Sequence, residues 1–153
     1  MNKRRSSRFG KKTSFLLAPN PPSTFPVYVD RIEGWLELGM PEEAEREYLS
    51  LSSAQRQEPD AIRMRVHIEV AFNRSRRALT ESLRLARRQP KHLGSWMLLS
   101  AVCLHPCGRG DWALRALKQG LLEIPEEPNL SFAFESICND LRAIKERKGG
   151  AEV

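Results

Sequence analysis

Ala44, Ala78 and Ala113 stand 34 and 35 residues apart, and the positions four residues on are Tyr48, Ser82 and Leu117. Pro90 and Pro125 follow the last two alanines in the same phase. A spacing near 34 residues marks helix–turn–helix units stacked side by side, since one such unit cannot bury its apolar face alone. The ladder therefore predicts an all-α array of helix pairs with a groove. It does not name what the groove holds.

Local signals divide the chain into helices around that ladder. A first helix is expected from Val27 to Leu38, ended by Gly39, which takes a left-handed conformation without strain. Pro41 suits the first turn of a second helix, with Glu42 and Glu43 at its positive end. Ser52 to Pro59 reads as a linker, and Asp60 as the cap of a third helix running to about Phe72. Asn73 or Ser75 opens a fourth helix, which must stop near Gln89 because Pro90 follows. A fifth helix is expected over 91–104. Pro106, Gly108 and Gly110 then make a turn, and a sixth helix capped by Asp111 ends before Pro125. Asn129 is the expected cap of the last helix. Its apolar residues Leu130, Phe134, Ile137, Leu141 and Ile144 form one stripe, and Gly149 and Gly150 end it. That helix is expected to close the open end of the core.

Charge is unevenly placed along the 153 residues. Residues 1–29 carry six basic and no acidic side chains, residues 30–55 sum to −5, residues 56–91 to +6 and residues 92–153 to −1. Residues 1–26, with Asn20-Pro21-Pro22-Ser23, read as a disordered basic arm. Residues 27–147 are the expected repeat domain and residues 148–153 a flexible tail. No run of apolar residues is long enough for a membrane span. The short stretch Phe15-Leu16-Leu17-Ala18 falls below the length of a secretory h-region, although an Arg- and Ser-containing start leaves an organellar transit peptide open. Three cysteines give an odd, low count, which fits buried free thiols in a reducing, cytoplasmic setting.

The organisation resembles the tetratricopeptide repeat family over roughly residues 27–146. Ala44, Ala78 and Ala113 match the small residue of the second helix, Tyr48 and Leu117 the large residue that follows, and Gly39 and Gly108 the small turn residue. Trp35 and Leu104 stand where the family has a large residue late in the first helix. The middle repeat departs at Ser82, Asn73 and Glu69, and the segment before Gly108 carries one extra residue. The resemblance implies about three helix pairs plus a closing helix in a right-handed superhelix, whose first helices line a concave groove. By the alanine register the groove positions are Val29 and Glu33, Arg63 and His67, Met97 and Ala101, and Phe132 and Ser136. The carboxylate clamp of some family members needs Lys and Asn where this chain has Val29 and Glu33, so a chaperone-tail receptor is not expected.

Glu33, Arg63, His67, Met97, Phe132 and Ser136 are accordingly the expected partner-binding residues, for a peptide or helix of another protein. Arg74, Arg77, Arg84 and Arg88 share one side of the fourth helix and form an expected surface for phosphate or an acidic partner. The ordinary alternative is a solvated face with partners such as Glu81. The acidic 30–55 region and the basic 56–91 region can pair between two copies, giving a homo-oligomer, or within one chain. A nucleic-acid role, an RNA-associated accessory protein using the arm and the fourth helix, is the second expectation. It lacks aromatics interleaved with the basic residues.

Cys103, His105 and Cys107 bracket a turn, and only Cys138 from the last helix could add a fourth zinc ligand. No zinc site, cofactor or catalytic residue is assigned from the sequence, which holds no phosphate-cradling glycine loop, HExxH or GxSxG. The tryptophans Trp35, Trp96 and Trp112 read as core. The expectation is a non-enzymatic interaction scaffold.

Overall fold

The computed structural model describes residues 25–149. The basic arm, apart from residues 25 and 26, lies outside the described residues, as does the end of the tail. Among the described residues the chain is all-helical: α1 (Phe25–Glu37), α2 (Pro41–Ser50), α3 (Pro59–Ala71), α4 (Ser75–Arg88), α5 (Leu93–Leu104), α6 (Gly110–Glu123) and α7 (Pro128–Gly149). A short 3-10 turn, Gln55–Gln57, interrupts the expected linker. The helices pack as α1 on α2, α3 on α4 and α5 on α6, and each pair meets the next through α2–α3, α4–α5 and α6–α7, with α1 also touching α3.

Helix starts differ from expectation in a consistent way. Asp60, Asp111 and Asn129 are not caps but lie in the first turn, because Pro59, Gly110 and Pro128 already begin the helices. Proline at the first helical position has no N–H to leave unsatisfied. The acids there still face the positive end of the dipole. Helix α1 begins at Phe25, taking two residues from the arm, and α5 begins at Leu93 rather than 91.

Three turns carry the repeat. Gly39, Asn73 and Gly108 all have positive φ, at 69°, 55° and 61°. Asparagine is the non-glycine residue that best tolerates this conformation, so Asn73 does the work of a turn glycine. Each turn is closed by a backbone bond one turn back: Met40 N–H donates to Trp35 O (2.9 Å), Arg74 N–H to Glu69 O (2.8 Å) and Arg109 N–H to Cys103 O (2.8 Å). The equivalent of Trp35 and Glu69 is therefore Cys103, not Leu104 as expected. The extra residue sits in the turn after α5, and α3 and α5 correspond at a shift of 34 residues. The burial pattern agrees: the buried Ile62, Ile68 and Glu69 fall on the buried Trp96, Val102 and Cys103.

The alanines of the ladder are fully buried at the pair interfaces. One apolar cluster gathers Val29, Ile32, Ala44, Tyr48, Ala61, Met64 and Ile68. A larger one gathers Trp96, Leu99, Cys103, Ala113, Leu117, Leu130 and Ile137. Trp96 is core, as expected, and its indole N–H donates to Pro90 O at 2.8 Å, which ties the repeat-ending proline to the next helix. Gly120 lets α6 reach that indole: a Cβ there would stand 2.8 Å from Trp96 Cγ and 3.2 Å from Leu130 Cδ1. On α7 the buried stripe ends near Leu141, and Ile144 is 49% exposed.

Candidate protein-binding surfaces

The expected groove positions separate into two sets. Arg63 and His67 of α3 and Met97 and Ala101 of α5 line one groove of about 450 Å³, with Leu85, Gln89 and His92 at its side. Stacking puts these residues together: Arg63 and His67 are four apart on one helix face, and the shift of 34 residues carries them onto Met97 and Ala101. Arg63 pairs with Asp60 at 3.1 Å on the rim. His67 keeps an open edge, but packing around it withdraws water and pushes its imidazole pKa below the ordinary value. The Arg63 guanidinium adds to that, and Glu33 on the neighbouring α1 opposes it. Glu33 thus reaches the groove as a charge. Val29 is buried in the first cluster. Phe132 is 75% exposed on α7, and neither it nor Ser136 lines this groove.

The arginines also separate. Arg74 is not part of a free anion surface, because it is turned into the protein. It donates to Glu45 at 2.9 Å, lies 3.6 Å from Glu69 and stacks on Phe72 at 4.2 Å. Arg84 pairs with Glu81 at 3.1 Å and with Gln57, the ordinary arrangement for a helix-surface arginine. Arg77 and Arg88 are exposed and have no ionic partner among the described residues.

Arg74 belongs to an ionic cluster that joins three elements. Arg65 of α3 donates to Glu45 of α2 at 3.1 Å and pairs with Glu69. The Glu69 carboxylate is 1% exposed, and its Oε2 has no hydrogen bond. Burial alone would raise the Glu45 pKa, but the Arg74 hydrogen bond and the charges of Arg74 and Arg65 hold it below the ordinary carboxylate value. The acidic second helix and the basic block therefore pair within one chain at this point.

Sequence reasoning missed a second concavity. Between α4 and α6, with α5 as floor, runs a groove of about 760 Å³. Its floor is Trp96, Leu99 and Cys103, and its walls include Leu79 and Leu83 of α4 and Trp112 and Ala116 of α6. The available signal was the stripe Leu79, Leu83 and Ala86 beside the arginines, at helical spacings of four and three. Burial raises the Cys103 pKa to about 11, with the neighbouring Cys107 adding to it, so this thiol is protonated at neutral pH. Cys107 and Cys138 are half-buried. Among the described residues no group of three or more His, Cys, Asp or Glu converges as a metal site would require, and no helix is long and apolar enough to cross a membrane. Comparison with protein-family models, with curated proteins and with solved structures gave no match.

Proposed function

We propose that this chain is a protein-interaction scaffold of tetratricopeptide-like architecture, whose stacked helix pairs form a solenoid that takes a peptide or helix of a partner along its first helices. The observation that carries the reading is the convergence of Arg63, His67, Met97 and Ala101, from equivalent positions of successive pairs, on one groove. The recurring left-handed turn at Gly39, Asn73 and Gly108 supports the repeat. The groove offers a cationic rim over an apolar wall of Met97 and Leu98, which suits a peptide with an apolar anchor and a nearby carboxylate. The role is binding, not catalysis.

A pull-down with the full chain, with and without nuclease, tests this reading alongside Arg63→Glu/Met97→Glu. The expected result is a protein partner that survives nuclease and is lost with the double variant. A partner retained by the double variant refutes the groove. The RNA-associated reading draws on Arg76, Arg77, Arg87 and Arg88, exposed on α4 with no ionic partner among the described residues. Loss of every captured partner after nuclease, with affinity falling steeply as salt rises, would favour it.

A further inference from the structure

The groove between α4 and α6 lies apart from the Arg63–Met97 groove and shares no lining residue with it. Its lining residues follow helix axes: Leu79, Leu83 and Ala86 on α4, and Trp112, Ala116 and Glu123 on α6. From Trp112 to Glu123 the α6 wall is on the order of 16 Å long, about three turns of a helix. Leu83 is 37% exposed at its lip, and Leu79 and Trp112 are half-buried.

Charge selects the occupant. Arg87 stands on the α4 wall and Arg115 on the α6 wall, both exposed, and neither has an ionic partner among the described residues. The acid of the lining, Glu123, is already held by Lys91, whose Nζ lies 3.6 Å from its carboxylate and donates to its backbone oxygen at 2.6 Å. Two unanswered guanidinium groups thus flank an apolar channel. The chain's own residues 1–29, six basic and no acidic, carry the wrong sign to fill it. In the preceding repeat the equivalent floor positions, Arg65 and Glu69, are answered by Glu45 and Arg74 of the same chain. Here the chain supplies no such answer.

We propose that the α4–α6 groove is a second docking site, which takes an acidic amphipathic helix of a partner protein, with apolar side chains against Leu79, Leu83 and Trp112 and carboxylates on Arg87 and Arg115. Helix-in-groove recognition uses anchors at i, i+4 and i+7, which match the spacing of the walls. Bidentate arginine–carboxylate pairs on both sides fix its register.

The test uses the full chain and a fluorescein-labelled amphipathic peptide of about 14 residues, leucines at those anchor positions and glutamates beside them, with a lysine-for-glutamate twin. Anisotropy is expected to show binding of the glutamate peptide and about tenfold weaker binding of the twin. Leu83→Arg is expected to weaken the glutamate peptide by about tenfold or more. Arg87→Glu/Arg115→Glu is expected to exchange the preference toward the lysine twin. Because both arginines are exposed, that variant keeps the test valid should Leu83→Arg melt early. Arg63→Glu, in the other groove, should leave peptide binding unchanged, which separates this site from the first. No binding, equal binding of the two peptides, or variants that bind as the wild type would overturn the proposal. So would sedimentation showing a dimer that Leu83→Arg dissolves, since the occupant would then be a second copy.

Discussion

Between α2 and α4 the chain lays Arg65 and Glu69 over the floor helix; between α4 and α6, one repeat later, it lays Leu99 and Cys103 at the equivalent positions. The wall residue Glu45 of the first seam corresponds to Leu79 of the second, and Arg77 and Glu81 correspond to Trp112 and Ala116. The backbone frame is the same, down to the turn-closing bonds onto Glu69 and Cys103. What differs is who satisfies the seam. In the first, charges from three elements answer one another inside the chain. In the second, apolar walls and two arginines are left for a partner. The pair shared by both seams, α3–α4, is the one whose sequence departs most from a regular repeat. Its departures at Glu69 and Ser82 are buried, so they serve the first seam and the pair interface rather than solvent.

The largest expected effect breaks the ionic seam. Arg65→Leu leaves the buried Glu69 carboxylate with only the more distant Arg74, and is expected to cost about 3 kcal/mol in urea unfolding. Next comes the apolar half. Gly120→Val drives a side chain into Trp96 and Leu130 and is expected to cost about 2 kcal/mol, read as a lower unfolding midpoint. The two effects should add, because the sites share no side-chain partner.

These two sites also show how much was legible. The alanine ladder fixed the pairing of helices, and the turn residues fixed where pairs end, because both depend on local geometry. Asn73 looked like a defect and is the left-handed turn residue of the middle repeat. The role of Arg74 was not legible, because Glu45 lies 29 residues away and reaches it only across packed helices. The α4–α6 groove was not legible for the same reason, since its walls are brought together only by stacking. Phe132 stood out as an off-stripe aromatic, but its place on α7 keeps it away from the α3–α5 groove. The caps were misplaced by one or two residues because a proline or glycine already opens each helix.

A smaller effect sharpens the claim that the middle turn is equivalent to its neighbours. Asn73→Gly should leave stability nearly unchanged, whereas Asn73→Val is expected to cost about 1–2 kcal/mol for placing a branched side chain at positive φ. The smallest concerns His67. Its folded pKa lies below the ordinary 6.5, so as pH falls through 6.5 the unfolded chain takes up the proton first and the fold loses stability. The stability that neutral His67 contributes is fully present above that pH. His67→Gln should flatten the difference between urea midpoints at high and low pH across that window, by a few tenths of a kcal/mol at this open site.

The central claim is that the two seams are one frame with interchangeable chemistry. A double-mutant cycle at Arg65 and Glu69 tests it most directly, with Arg65→Leu/Glu69→Cys installing the residues of the second seam in the first. The account predicts that each single change is costly while the double variant recovers to within about 1 kcal/mol of the wild type. A double variant as unstable as the sum of the singles would contradict it.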